Sequence, residues 1–381
     1  MNSLIRTLRP LTLVSLGLLA CSSDESEPDN AQTRYELELP ADTELGGAIV
    51  EVDTGVMAVM GSRLVYLPKG AGAAPVVIQE APRLHNHMAA DDNYVYYATQ
   101  KRGRAHYFVP RSETGPAKEP DGYIYRVSKR PPFAPEVVTP VGILEGRIES
   151  RAGHLYACES PGANGPGSLV DAPVATPEAT KHWPFRFNEY CRSVVADDAK
   201  LYLVMDRSQK SVIGAQPFEK ALVLSTAPRD ADPPWSLAEG PTVLHVTDVQ
   251  APAGLSLYPR NDAPGLAVVG VRWARLFKSD GSPDGSFDTA ARVGGKLVPD
   301  GAGWLWSEDA DGGKDFGRTC TNGRLYAGAV ATAGQELTQN VCAVDAIARG
   351  PSGVWFVEHA DIFDSSGGPD IYRFRLKLLP R

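Results

Sequence analysis

The sequence predicts an all-β fold, a β-propeller of six or seven four-stranded blades, with seven blades preferred. Three observations lead to this prediction. From Tyr35 onward, short apolar segments alternate with turn residues, and helical periodicity is nearly absent. Glycine (37 residues) and proline (31 residues) are both frequent, as a fold with many turns requires. Similar segments also recur with a period of about 50 residues, which is typical of propellers.

The recurring unit is a turn followed by a strand that carries an aromatic residue. Its copies are Asp92–Thr99, Ala152–Glu159, Asp198–Met205, Ala302–Glu308 and Ser352–Glu358, and Thr54–Val59, which has methionine in place of the aromatic residue, is a weaker first copy. Alignment of the copies places at one equivalent position Met57, Tyr96, Tyr156, Tyr202, Trp306 and Trp355. The gap of 104 residues between Tyr202 and Trp306 predicts one degenerate copy near Tyr258 to Val269.

A second strand motif follows most copies of the unit. It appears at Arg63–Leu67, Gly122–Val127, Ala221–Leu224, Arg275–Phe277, Arg324–Tyr326 and Asp370–Phe374. Seven blades would divide residues 35–381 into units of about 50 residues. One blade cannot bury both of its faces alone, so the blades would pack face to face around an axis. An array of β-sandwiches is the alternative for the same pattern.

One segment resembles a named repeat. Ala274–Phe287, which reads ARLFKSDGSPDGSF, is similar to the delta-60 repeat of bacterial propeller-like proteins. The Asp-Asp-x-x-Val-Tyr-Tyr units resemble, more loosely, those of exported bacterial propeller proteins without an assigned function. The resemblance covers about fourteen residues of one blade, so it implies architecture and no activity.

The first twenty-one residues have the pattern of an export signal. Arg6 and Arg9 precede the apolar run Leu11–Leu19, which is too short to span a bilayer. The sequence Leu-Leu-Ala-Cys that ends at Cys21 resembles the lipobox of bacterial lipoproteins. The resemblance implies that Cys21 is acylated and residues 1–20 are removed, and Ser22 implies sorting to the outer membrane. An ordinary secretory peptide with a chance cysteine is the alternative.

The predicted organisation is therefore a signal peptide (1–20), an acidic flexible tether (21–34) and the propeller domain (35–381). Residues 22–34 are polar and contain no aromatic side chain. Removal of residues 1–20 takes away two arginines and no acid, so the net charge falls from −8 to −10. A negative protein is a poor partner for nucleic acid. The lipid would have to hold it at the bacterial envelope, because an anionic membrane surface repels it.

The cysteines indicate disulfides. Four remain besides Cys21, and an even number in an exported chain is typical of disulfide pairs. Pairing of sequence neighbours, Cys158–Cys191 and Cys320–Cys342, is preferred among the three connectivities. A metal site is the alternative, but no pair has Cys-x-x-Cys spacing.

The candidate metal ligands are histidines. His85 and His87 alternate, so on a strand both imidazoles would lie on one face. His154 is a third candidate, with His106, His182 and Glu159 as further ones by repeat position. The alternative is that these histidines are solvent-exposed or structural residues at a blade edge. Asp309–Asp315 has alternating carboxylates but fails the EF-hand pattern, because Lys314 and Cys320 stand where glycine and glutamate are needed.

The sequence contains no motif of a known catalytic constellation, and the catalytic residues are unknown. Two segments, 100–121 and 160–187, are predicted as long loops on one face. The function that these observations favour is a lipid-anchored envelope module without a cofactor that binds a protein or glycan. The alternative is a propeller-type lactonase or lyase that depends on a divalent metal such as calcium or zinc.

Overall fold

The chain folds into seven sheets arranged as a seven-bladed propeller. The computed structural model describes residues 31–40, 43, 46–70, 74–100, 120–160, 167–185, 189–208, 220–230, 238–246, 256–260, 265–270, 273–288, 296–308, 323–329, 334–362 and 371–381. Within these ranges the only helical element is a single 3-10 turn, Pro177–Ala179. The predicted all-β propeller with seven blades is confirmed. No helix in the described ranges has the length and apolarity needed to cross a bilayer.

The strands follow one another blade by blade. The first strand, β1 (Gln32–Pro40), belongs to the last blade. Blade 1 contains β2 (Gly47–Val52), β3 (Gly55–Met60), β4 (Arg63–Pro68) and β5 (Val76–Glu80). Blade 2 contains β6 (Arg83–Leu84), β7 (Ala89–Ala90), β8 (Tyr94–Gln100), β9 (Gly122–Ser128) and β10 (Glu136–Val141). Blade 3 contains β11 (Ile143–Arg151), β12 (His154–Ser160), β13 (Ser168–Pro173) and β14 (Lys181–Pro184).

The remaining blades repeat the order. Blade 4 contains β15 (Glu189–Ala196), β16 (Lys200–Ser208), β17 (Lys220–Pro228) and β18 (Ala238–Val246). Blade 5 contains β19 (Ser256–Pro259), β20 (Gly265–Val269), β21 (Trp273–Lys278) and β22 (Pro283–Asp288). Blade 6 contains β23 (Leu297–Asp300), β24 (Gly303–Glu308), β25 (Gly323–Ala329) and β26 (Gln335–Val341). Blade 7 contains β27 (Ala343–Gly350), β28 (Gly353–Ile362) and β29 (Ile371–Pro380), with β1 as its outer strand.

The two ends of the chain close the ring. β1 pairs antiparallel with β29, with Leu37 opposite Phe374 and Leu39 opposite Tyr372. Blade 7 is thus built from both ends of the described chain, and β1 starts three residues before the predicted start of the domain. Residues 1–30, including Cys21, lie outside the described residues.

The hydrophobic core consists of seven clusters, one between each pair of neighbouring blades. The cluster between blades 7 and 1, for example, joins Trp355, Val357 and Phe374 to Val56 and Met60. The other six clusters repeat this arrangement around the ring. Alternation of side chains along each strand explains the pattern, because every blade must supply both of its faces to neighbours.

The recurring aromatic unit fills these clusters, with one correction to its alignment. Met57, Tyr96, Tyr156, Tyr202 and Trp355 all face the following blade. Trp306, aligned with them in the sequence, instead packs against the preceding blade. Leu305 takes the equivalent place toward blade 7. A shift of one residue exchanges the two faces of a strand, so the alignment in blade 6 was wrong by one position.

Most other sequence predictions about strands are confirmed. The degenerate copy predicted near Tyr258 to Val269 is β19 and β20 of blade 5. The segments of the second motif lie in β4, β9, β17, β21, β25 and β29, the third strands of their blades. Ala274–Phe287 spans most of β21 and β22. The predicted loop 160–187 is wrong, because it contains β13 and β14. Its many prolines and glycines hid a third strand, whose buried residues are Leu169, Val170 and Ala172.

The disulfide prediction is confirmed for one pair. Cys158 and Cys191 are bonded with their Cα atoms 5.3 Å apart, and they join β12 to the inner strand of blade 4. Cys342 is also disulfide-bonded. Cys320 lies outside the described residues, so its pairing with Cys342 stays a prediction.

The two faces of the ring differ in their connections. We call the side with the turns between the first and second strands the short-turn face, as at Ala152–Gly153 and Pro351–Ser352. The opposite side, where second strands end and third strands begin, is the long-loop face. There the strand ends border the longest intervals between strands that the structure describes, among them 101–121, 209–219 and 309–322. The predicted loop 100–121 is one of these intervals, although residues 101–119 lie outside the described residues.

Candidate ligand site at the propeller axis

The first strands of the blades surround the propeller axis. They contact one another across blade boundaries: β11 meets β7, β15 and β19, and β27 meets β2 and β23. Contact between β11 of blade 3 and β19 of blade 5 skips the blade between them, so it crosses toward the axis. Side chains on these strands that do not enter the clusters between blades therefore line a central channel.

Blade 2 has an interrupted inner edge, and the interruption places a histidine in the channel. β6 pairs with the end of β8 at Gln100 and Thr99, and β7 pairs with Tyr96 and Val95. Residues 85–88 lie between them and are not in a strand. The Nε2 atom of His87 comes within 3.4 Å of the hydroxyl of Ser256 in blade 5. Blades 2 and 5 are not neighbours, so this contact lies at the centre of the ring.

His85 fixes this segment to blade 3. Its Nε2 atom lies 2.6 Å from the carbonyl oxygen of Gly146, so Nε2 carries the proton and donates it. Gly146 has φ +62°, a left-handed conformation that suits glycine, at an irregularity in the β11 register between Glu145 and Glu149. The bulge thus turns the carbonyl of Gly146 toward His85.

Arg147 follows the bulge and reaches across to blade 5. Its guanidinium lies over the ring of Tyr258, with the Cζ atom 5.2 Å from the ring centre. The same guanidinium lies 3.0 Å from the carboxylate of Glu149. Burial raises the pKa of Glu149 above its usual range, and the charge of Arg147 opposes that rise.

Blades 6 and 7 add a lysine and an aspartate. Lys296 directly precedes β23, and its backbone N–H donates to the hydroxyl of Ser307 at 2.9 Å. Its half-buried ammonium forms no ion pair within 4.0 Å in the described part of the chain. Asp345 on β27 lies 2.8 Å from the Nδ1 atom of His359. Residues of five blades therefore meet around the axis.

Burial keeps the imidazoles of His85 and His87 uncharged, because it lowers the pKa of both. It lowers the pKa of His85 to about 4. It also lowers the pKa of His87 well below the ordinary value, and the charges of His85, Lys296 and Arg147 lower it further. Burial lowers the pKa of Lys296 as well, although Asp345 counteracts this. Both histidines are therefore neutral hydrogen-bonding groups at neutral pH.

The predicted metal ligands separate into different places. His85 and His87 lie together, with ring centres 5.5 Å apart, but the strand predicted to carry them is interrupted there. His154 lies on β12, with its Nδ1 atom 2.6 Å from Asp171 and its ring stacked on Tyr156. The described residues contain no group of three or more His, Cys, Asp or Glu side chains able to hold a metal ion.

The two further candidates on blade 3 form a pair. His182 lies 3.0 Å from the carboxylate of Glu159, which also accepts hydrogen bonds from Ser168 and from the backbone N–H of Gly142. Glu159 thereby ties the start of β11 to β12. Glu358 does the same for blade 7, where it accepts from the N–H of Cys342 at 2.9 Å. Glu159 is thus a repeated structural residue. His106 and Asp309–Asp315 lie outside the described residues.

Sequence reasoning missed most residues of the site. It did not single out Arg147, Ser256, Lys296 or Asp345. Their shared signal is position, since each lies on or directly before the first strand of its blade. A blade alignment identifies the first strands, but the four residues stand at different positions along them.

A depression away from the axis lies on the short-turn face between blades 2, 3 and 4. It has a volume of about 490 Å³ and is lined by Asp91, Asp92, Asn93, Ser150, Arg151, Ala152, Gly153 and Asp198. Arg151 and Asp198 form an ion pair at 2.8 Å. Asp91 accepts hydrogen bonds from the N–H groups of Asn93 and Tyr94 and from the hydroxyl of Tyr96. Its carboxylate is thus used by the turn itself.

Comparison with known proteins finds solved structures of similar fold. The chain is similar in fold to the extracellular domain of a hybrid two-component system from B. thetaiotaomicron, with a TM-score of 0.50 and 12% identity, over 91% of this chain and 39% of that one. It is also similar to the AfRom2 CNH domain, with a TM-score of 0.48 and 7% identity, over 90% and 98% of the two chains. Hydrazine synthase of Kuenenia stuttgartiensis gives a TM-score of 0.49 and 9% identity, over 76% and 84%. At such identities the likeness concerns the fold alone. No family model matches the sequence, and no curated protein matches it.

Proposed function

We propose that this protein is a lipid-anchored binding module of the bacterial envelope that holds its ligand at the long-loop end of the propeller axis. The observation that carries the proposal is the meeting of polar side chains from five blades at one place: His87, Arg147, Ser256, Lys296 and Asp345. Ligand sites are typically concave places where a few polar groups from different elements converge. The ligand would be a protein or a glycan.

The site lies toward the long-loop face. Ser256 is the first residue of β19, Lys296 directly precedes β23, and Asp345 is the third residue of β27. First strands start at the long-loop face, because they end at the turns of the short-turn face. Ser256 and Lys296 therefore lie at the same end of the channel.

The direction of β1 supports the anchoring geometry. β1 begins opposite Leu378, near the end of β29 at the short-turn face. A lipid on Cys21 would therefore lie on the short-turn side. Cys21 precedes Ala31, the first residue that the structure describes, by ten positions. Residues 22–31 reach at most about 35 Å when extended. This arrangement presents the long-loop face, and with it the site, away from the membrane.

The metal-dependent alternative has less support. A lactonase or lyase of propeller type needs several ligands converging on the axis, and the described residues offer no such group. His85 and His87 are held instead by the carbonyl of Gly146 and the hydroxyl of Ser256. Elemental analysis of the purified protein tests this alternative, since a divalent ion bound at one equivalent would favour it.

The anchor is tested by phase partition. In Triton X-114, the full chain is expected in the detergent phase and the Cys21→Ser variant in the aqueous phase. Partition of both proteins into the detergent phase would contradict the lipid anchor. The binding function is tested separately with the soluble Cys21→Ser protein.

For binding, the soluble protein is screened against arrays of envelope glycans and peptides, and hydrogen exchange then locates each bound ligand. Protection is expected at the long-loop ends of the first strands, such as the starts of β19, β23 and β27. Substitution of Lys278 by Met, on the exposed end of β21 at the short-turn face, is the matched control and should leave binding unchanged. Protection confined to the short-turn face would overturn the proposal.

A further inference from the structure

Lys296 brings a positive charge to the site, and the charge of Asp345 offsets the effect of its burial only in part. The ammonium of Lys296 is half-buried beside the axis, and it forms no ion pair within 4.0 Å in the ranges that the structure describes. A charged group taken from water without a counter-ion is unfavourable, and burial accordingly lowers the pKa of Lys296. A ligand that brings negative charge would remove this penalty.

The carboxylates around the site are already engaged. Asp345 lies 2.8 Å from His359, and Glu149 lies 3.0 Å from Arg147. Burial raises the pKa of Glu149, which disfavours its charged form. Glu145 lies 3.5 Å from Arg192, which also pairs with Asp206.

The other groups around Lys296 can donate hydrogen bonds. Arg147 presents a guanidinium over Tyr258, and guanidinium groups suit oxyanions because their donors form a planar fork. The hydroxyl of Ser256 lies between His87 and Tyr258, with contacts to both side chains. His87 is neutral and retains one N–H. Two cations and three neutral donors thus come from blades 2, 3, 5 and 6.

We propose that Lys296, Arg147, His87, Ser256 and Tyr258 bind one anionic group of the ligand, a carboxylate or a phosphate or sulfate ester. Lys296 supplies the charge, and Arg147 and the hydroxyls orient the oxygens. This inference rests on the proposed function, since it names the chemistry of the ligand at the same site. No bond is made or broken, so the site is one of recognition.

The test uses small probes and the soluble Cys21→Ser protein. Glucuronate and glucose form a matched pair that differs by the carboxylate, and glucose 6-phosphate supplies the phosphate ester. Titration calorimetry is expected to detect glucuronate or glucose 6-phosphate and to show at least about tenfold weaker binding of glucose. The affinity for the charged probe should fall when salt is raised from about 50 to 500 mM.

Variants locate the binding. Lys296→Met should weaken the charged probe by about tenfold or more, while Lys296→Arg should retain most of the affinity. Lys278→Met is the control of equal charge change on the short-turn face. Circular dichroism verifies that each variant is folded, and the charge-conserving variant guards against a merely structural effect.

The outcomes separate this inference from the proposed function. Equal binding of glucose and glucuronate, or unchanged binding by Lys296→Met, would overturn the anionic site. If the ligands found on the arrays protect the long-loop face from exchange but carry no negative group, the proposed binding function is supported and only the anionic site is overturned. A preference for glucuronate or for glucose 6-phosphate assigns the anion to a carboxylate or a phosphate.

Discussion

Closure of the ring by β1 gives a prediction about stability. Leu39 is 3% exposed and lies in the cluster between blades 7 and 1 with Met60 and Phe374. Leu39→Ala would remove buried methyl groups and leave a cavity, because Phe374 on β29 and Met60 in blade 1 are held in their own sheets. Substitutions of this kind lower the free energy of unfolding by about 2–5 kcal/mol. We expect about 3 kcal/mol for Leu39→Ala.

The loss should be localised at the closure. Detachment of β1 would expose the edge of β29, a strand of ten residues, which would then be open to pairing with other chains. Urea unfolding followed by tryptophan fluorescence measures the overall effect. In Leu39→Ala, the backbone amides of β29 should exchange faster than in the unchanged protein, whereas those of blade 4 should be affected less.

A surface substitution on the same strand provides the control. Glu38 pairs with Arg373 at 2.7 Å, but its side chain is 49% exposed. Glu38→Ala is therefore expected to change the unfolding free energy by less than about 1 kcal/mol. The reasoning would be refuted if Leu39→Ala were no more destabilising than Glu38→Ala, since the closure would then not depend on the buried face of β1.

Three further predictions follow from other contacts. Burial lowers the folded-state pKa of His85 to about 4, so the unfolded chain takes up a proton at this residue first as pH falls below about 6.5. His85 should therefore lower the free energy of unfolding by about 2 kcal/mol between pH 7 and pH 5, and in urea titrations the drop should be smaller by about that amount in His85→Gln, with a part remaining from His87, whose pKa burial also lowers. Joint replacement of Cys158 and Cys191 by alanine should lower stability by about 3 kcal/mol in urea unfolding, whereas an unchanged midpoint would contradict a stabilising cross-link. Tyr202 donates to Asp197 at 2.7 Å, so Tyr202→Phe should lose about 1–2 kcal/mol in thermal unfolding, and a neutral result would mean that the turn does not need this bond.

Local patterns in the sequence were enough for the architecture. The repeated turn and aromatic strand placed six of the blades, and the gap before Trp306 placed the fifth. Strand periodicity is a local property, so it is legible without knowledge of the fold. Strand periodicity did not identify β13, which lies in a segment rich in proline and glycine. It also assigned Trp306 to the wrong face of its strand, because an alignment error of one residue exchanges the two faces.

The site was mostly beyond reach of the sequence. His85 and His87 were noticed because they are close in the chain. Their partner Ser256 follows His87 by 169 residues and touches it only because blades 2 and 5 face each other across the axis. The prediction of a metal site added His154 to this pair. His154 lies on β12 of blade 3, where it contacts Asp171.

The sequence alone determined that the chain is built of repeated β-strands, and it predicted the export signal and two disulfides. The strands, the export signal and the disulfides were predicted from residues close together in the chain or from composition, so a short segment is enough to indicate each of them. Only the tertiary structure decided which polar residues meet at the axis, that β1 closes the last blade, and that the chain enters at the short-turn face. Closure of a ring brings together residues from distant blades, and no local interaction specifies that meeting.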